Sequence, residues 1–219
     1  MRPTLSRALL LAVAILTFPV LAASQTAERS RTQGLKETDR FVKAGEETTK
    51  AVSEAKMQLQ KTLDIYNGLV TQPSKDMKGD YKKLMKSMKS MNDEVADART
   101  KIEAMQKTGD TYFSGRAATI KNIQDPALLA QAQQRLKANQ EQFGTVLKSL
   151  RDAGAALEPF RKQLADQITY LGSDLTPSAV ASLKPQAEKL NAQGGELFKH
   201  IDEGNATANK YFQSMRSET

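Results

Sequence analysis

The sequence predicts an all-α protein: an elongated up-down-up-down antiparallel four-helix bundle with coiled-coil-like heptad seams. Three observations carry that expectation. Helix formers dominate the 219 residues, aromatics make up only 5%, and tryptophan and cysteine are absent. Apolar residues recur at alternating spacings of four and three along four long stretches. Between those stretches, prolines, glycines and capping residues leave connections of only a few residues, which force neighbouring helices to run antiparallel.

The N-terminus carries Arg2 and Arg7, then no charge from Ala8 to Ala23, then a polar turn beginning at Ser24. This is the pattern of a secretory signal peptide, expected over residues 1–22 with cleavage after Ala22 or one residue later. The apolar run is short for a membrane anchor. Without cysteine there is no lipid-accepting thiol and no disulfide framework, so the mature chain is expected to be periplasmic or secreted and held together by packing. Residues 23–34 are expected to be a flexible segment, and residues 35–217 a helical bundle domain. Its helices are expected at about 35–70, 75–121, 126–171 and 177–216.

The first helix has the loosest seam: Val52, Ala55, Leu59, Thr62, Tyr66 and Leu69, widened by Leu63 and Val70. It stops at Gln72-Pro73-Ser74, and Ser74 is the expected cap of the second helix. There the seam has no exception: Met77, Tyr81, Leu84, Met88, Met91, Val95, Ala98, Ile102, Met105. Asp125-Pro126 supplies a cap followed by proline at the first helical position. The third seam runs from Leu129 through Ala132, Leu136, Asn139, Phe143, Val146, Leu150, Ala153, Leu157 and Phe160 to Leu164, with only Asn139 polar. Gly172 closes that helix and Thr176-Pro177 opens the fourth, whose seam runs from Val180 to Met215. Pro159 and Pro185 interrupt two helices and are expected to bend the rod without breaking it.

Catalytic motifs do not survive their context. Ser53-Glu-Ala-Lys56 and Lys107-Thr108-Gly109 match fragments of the penicillin-binding enzymes, yet both lie in helical pattern and no S-D-N accompanies them. His200 is the only histidine, and Asp93, Glu94 and Asp97 read as partners for Lys101 and nearby bases. The chain is therefore expected to be no enzyme, with no cofactor and no metal.

The stretch "YKKLMKSMKSM", residues 81–91, combines two chemistries. Met88 and Met91 fall on the seam with Met85 beside it, which makes them core filler; a copper site would need three thioethers converging in the open. Lys75, Lys78, Lys82, Lys83, Lys86 and Lys89 fall off the seam. With Arg161 and Lys162 they are expected to make one end of the bundle basic. The precursor's net charge is +7, and removal of Arg2 and Arg7 leaves +5. Residues 61–89 hold seven Lys against three Asp, and residues 161–189 hold four bases against three acids, so the two windows sum to that +5. A basic end points to an anionic lipid, lipopolysaccharide or an envelope protein as partner. Nucleic acid is not expected, because no aromatic platform interleaves the lysines; an oligomer is compatible with the pattern. The expected role is a non-enzymatic structural or interaction protein, the alternative being a periplasmic chaperone or carrier that opens its Met-rich seam to unfolded protein or lipid.

Across the third connection, Glu158, Pro159, Asp166, Gln167, Tyr170, Leu171, Leu175, Ala179, Ala181, Ser182 and Leu183 resemble a bacterial family of exported helical proteins catalogued as domain of unknown function 2959. The likeness is good over about residues 125–212 and fainter over 40–120, and Gly172-Ser173-Asp174 and Pro185 depart from the pattern. The resemblance implies a helical fold and export, and transfers no active site.

Overall fold

The computed structural model describes the backbone of residues 20–217 and the side-chain surroundings of residues 32–217. The helices are α1 (Val20–Thr71), α2 (Met77–Ile120), α3 (Pro126–Ser173), the short α4 (Pro177–Ser182) and α5 (Lys184–Ser217), with no strand among the described residues. The chain is all-α. α1 packs antiparallel on α2, with Thr62 against Ser87 and Thr48 against Lys101. α3 runs antiparallel to α2, placing Glu158 beside Arg99 and Arg151 beside Gln106. α5 closes the ring against both α1 and α3, through Asn67 with Asn191 and Asn139 with Tyr211. Up-down-up-down order results, with α4 and α5 together as the fourth member. The 44 residues of α2 make a rod of about 66 Å.

Several boundaries differ from expectation, each for a local reason. α1 extends back to Val20, so the segment 23–34 expected to be flexible is helical. Its Ala, Gln, Glu and Arg residues are good helix formers, and they outweigh Gly34 and the weaker Ser24, Thr26, Ser30 and Thr32. The expected leader, residues 1–22, lies outside the described residues except for its last three positions. The cap of α2 is Asp76, whose carboxylate accepts from Gly79 N at 2.9 Å; Ser74 instead accepts from Asp76 N and donates to Asp80. α3 passes Gly172 and ends at Ser173. The expected fourth helix, 177–216, is interrupted at Leu183. Pro185 has no N–H to continue the ladder, and Leu183 N turns to Val180 O at 3.2 Å. α3, by contrast, runs through Pro159 uninterrupted. Asp125 and Thr176 cap α3 and α4 as their sequence context predicts.

The seams form one core along the rod. Leu59, Leu84, Met91, Met105, Leu164 and Leu190 are fully buried or nearly so. Burying such side chains contributes roughly 1.5–3 kcal/mol each. Near the chain termini the core becomes aromatic, and Phe41 sits among Tyr112, Phe113, Phe143, Tyr211 and Phe212 with ring centroids 4.8–6.2 Å away. Gly45 and Gly109 make room for that cluster: a Cβ on either would run into Phe212 or Phe143. On α2, Met77, Tyr81, Met88 and Ile102 are only half-buried, and the longest gap in the expected seam is the first four turns of α3, where no residue before Phe143 is buried. The reason is register. Asn139 lies opposite Tyr211, so α5 runs out at Ser217, about level with residue 133, and α3 continues from there to Pro126 without that neighbour, while residues 135–142 border an open cleft.

Candidate anion-contact surface

At 100° per residue, Lys78, Lys82, Lys86 and Lys89 fall within a sector of about 80° on α2, and that sector points away from the buried Leu84 and Met91. All four are exposed, along about 16 Å of helix. Lys75 stands exposed in the connection just before them. Lys83 lies to one side, bound to Asp80 at 2.9 Å, and Lys89 binds Asp93 at 2.8 Å. Lys75, Lys78, Lys82 and Lys86 have no carboxylate partner among the described residues.

The local acids do not neutralise this surface. Asp76 is occupied as the cap. Asp80 accepts from Ser74 and Lys83, which hold its carboxyl below the ordinary 3.8, and the same contact raises Lys83 above 10.5. The positive end of the α2 dipole adds to the lysine field. Cations in a first turn oppose that dipole, so helix stability does not call for Lys78 there.

Arg161 and Lys162 are elsewhere. Arg161 donates to Asn92 Oδ1 at 3.1 Å and to Glu158 Oε2 at 3.1 Å, and Glu158 is also held by Arg99. Asn92 lies about 24 Å along α2 from the Asp76 cap, so these two bases are not at the basic tip. The sequence placed them there because it fixes the end of a window and not the register between helices. Arg161 is spent on clamping α3 to α2; Lys162 is exposed at that level. Burial raises Glu158, but Arg99 and Arg161 outweigh it and hold the carboxyl below 4.5.

A feature the sequence reading missed lies beside the lysines, an open cleft of about 530 Å³ between the two connections at this end. Met77, Tyr81, Leu171 and Leu175 floor it, and Lys75 and Lys78 stand at its rim. Its signal was the first turn of the α2 seam, whose apolar residues exceed what the short connections can cover.

The other residues singled out by sequence serve packing. Ser53 donates to Thr49 O and accepts from Asn205, Lys56 pairs with Asp202, and Gly109 lies under Phe143. The three methionines diverge: Met91 is fully buried, Met88 half-buried and Met85 46% exposed, so their thioethers do not converge. Tyr66, buried in the seam, donates to Gln167, and burial pushes its hydroxyl up to about 12. No helix among the described residues is long and apolar enough to cross a membrane.

The model of a family described as "Protein of unknown function (DUF2959)" matches residues 26–215. The chain belongs to that family. No curated protein and no solved structure matches it.

Proposed function

Beside that membership, which assigns no activity, we propose a non-enzymatic interaction protein of the cell envelope, exported by its N-terminal leader. It docks on anionic headgroups, those of lipid or lipopolysaccharide, through the outward lysine row of α2. One observation carries the reading: Lys78, Lys82 and Lys86 share the exposed face of α2 opposite the core, Lys75 stands exposed in the connection just before them, and none of the four has a carboxylate partner among the described residues. Such a row attracts phosphate-bearing surfaces at roughly 1 kcal/mol per base near the membrane, and the attraction fades within a Debye length of about 8 Å at 0.15 M salt.

Vesicle co-sedimentation tests it. Vesicles containing phosphatidylglycerol should retain the protein at 0.05 M salt and release it above about 0.15 M, while phosphatidylcholine vesicles should not retain it. Replacing Lys75, Lys78, Lys82 and Lys86 by Gln should abolish retention at an unchanged melting temperature, because none of the four packs in the core. Retention equal to that of the wild type would refute the proposal.

A further inference from the structure

A second cleft, of about 570 Å³, opens at the opposite end of the bundle, beneath the turns where α3 outruns α5. Its size is that of a small-molecule site. Leu136, Met215, Ile120 and the rings of Tyr112 and Tyr211 give it an apolar wall, and Arg116 and Arg135 line it from facing helices. The register explains this meeting. Gly109 lies against Phe143, so seven residues onward in α2 and seven back in α3, Arg116 comes level with Leu136.

Both arginines lack a carboxylate partner among the described residues. The Arg116 guanidinium lies over the Tyr112 ring, 5.7 Å from its centroid, which orients it on the cleft wall. Glu37, on the adjoining turn of α1, is turned onto Gly115 and accepts from Gln33 at 2.7 Å, so it is engaged elsewhere. Tyr211 donates to Asn139 Oδ1 at 2.5 Å, tying the α3 and α5 walls together at the floor.

An apolar strip, bordered by the polar Thr38, Asn139, Gln142 and Ser214, and two guanidiniums without a carboxylate partner among the described residues match one ligand chemistry. We propose that this cleft binds a single-chain amphiphilic carboxylate, with its headgroup on Arg116 and Arg135 and its alkyl chain along Leu136, Ile120 and Met215. A guanidinium suits a carboxylate in particular, because its planar fork donates two parallel hydrogen bonds. This site is independent of the lysine row, which lies at the other end of α2.

Calorimetric titration with sodium dodecanoate below its micelle concentration tests the assignment, with tyrosine emission as a second readout, since two of the five tyrosines line the cleft and there is no tryptophan. One dodecanoate should bind per chain, and both dodecanol and acetate should bind at least about tenfold more weakly. Arg116→Gln with Arg135→Gln should weaken dodecanoate about tenfold or more, a change of 1.4 kcal/mol per decade. Ala132→Phe, at a half-exposed position on the cleft wall, should block it without emptying the core. The lysine-row variant should bind dodecanoate like the wild type, which separates failure here from failure of the headgroup reading. Equal affinity for dodecanol, more than one site per chain, or unchanged binding in folded Ala132→Phe protein would each overturn the proposal.

Discussion

Removing the ring of Phe41 is the sharpest test of how this bundle is held at its terminal end. Phe41 is fully buried and touches five other rings drawn from α2, α3 and α5, so it joins all four members of the bundle. A phenylalanine buries roughly 150–250 Å² of apolar surface, which at about 25 cal/mol per Å² corresponds to about 4–6 kcal/mol. Alanine keeps part of that, and the rings around the hole relax only partially, so Phe41→Ala should cost about 4–5 kcal/mol. Phe41→Leu keeps most of the volume and loses the ring geometry, and should cost about 1–2 kcal/mol. Urea melts followed by helical circular dichroism measure both, at an unchanged denaturant slope. For a chain of this size the alanine variant should melt roughly 10–20 °C lower. A loss under about 2 kcal/mol, or equal losses for Ala and Leu, would mean that the rings do not form one interlocked layer.

Two further outcomes follow from the register and the charges. Leu129 and Leu157 hold equivalent positions in the heptad pattern, yet only Leu157 is buried, so Leu157→Ala should cost about 2–4 kcal/mol and Leu129→Ala less than about 1; equal costs in the same melts would contradict the overhang of α3. Glu158 and Asp80 both have lowered carboxyl values in the fold, so their contributions are complete above the unfolded values of 4.5 and 3.8 and are lost as pH falls through the folded ones. Melting temperature should therefore hold steady from pH 7 to about 5 and decline below 4.5, and Glu158→Gln should melt lower at pH 7 with a shallower acid decline. An identical acid decline in that variant would dissociate the Arg99–Glu158–Arg161 cluster from acid stability.

What the sequence made legible is what is local. Asp125-Pro126 and Thr176-Pro177 were readable as helix starts because a cap and the residue after it lie within one turn. The heptad seams were readable because burial on one face imposes its period. Periodicity says which face is apolar but not whether anything covers it. That is why Leu129 and Ala132 read as core and are only half-buried: the end of α5 is set by register with α3, which no single segment encodes; Leu136, still level with α5, is half-buried on the cleft wall. Ser87 shows the converse. It is a polar residue off the pattern, buried because its hydroxyl meets that of Thr62 at 2.9 Å and Gln58 at 3.1 Å, a pairing across 25 and 29 positions of sequence.

The same division runs through the charged surface. Lysines on one helix could be separated from its seam by the helical period alone, so Lys82, Lys83, Lys86 and Lys89 read as off the seam before any fold was built, although the pairing of Lys83 with Asp80 was not legible there. Arg161 could not be sorted that way, because its role depends on meeting Asn92 and Glu158, and those contacts turn a base from a surface charge into a helix clamp. The Arg116–Arg135 pair is non-local in the same sense: each reads singly as a solvated side chain, and only the α2–α3 register brings them to one cleft. Positive charge therefore collects on this rod in two distinct ways. At the connection end it lies on an open face suited to a flat anionic surface, and at the terminal end it lines a walled cleft suited to one molecule. Since about 50 Å of helix separates Lys82 from Arg116, the two can be altered separately, and neither change needs to disturb the core between them.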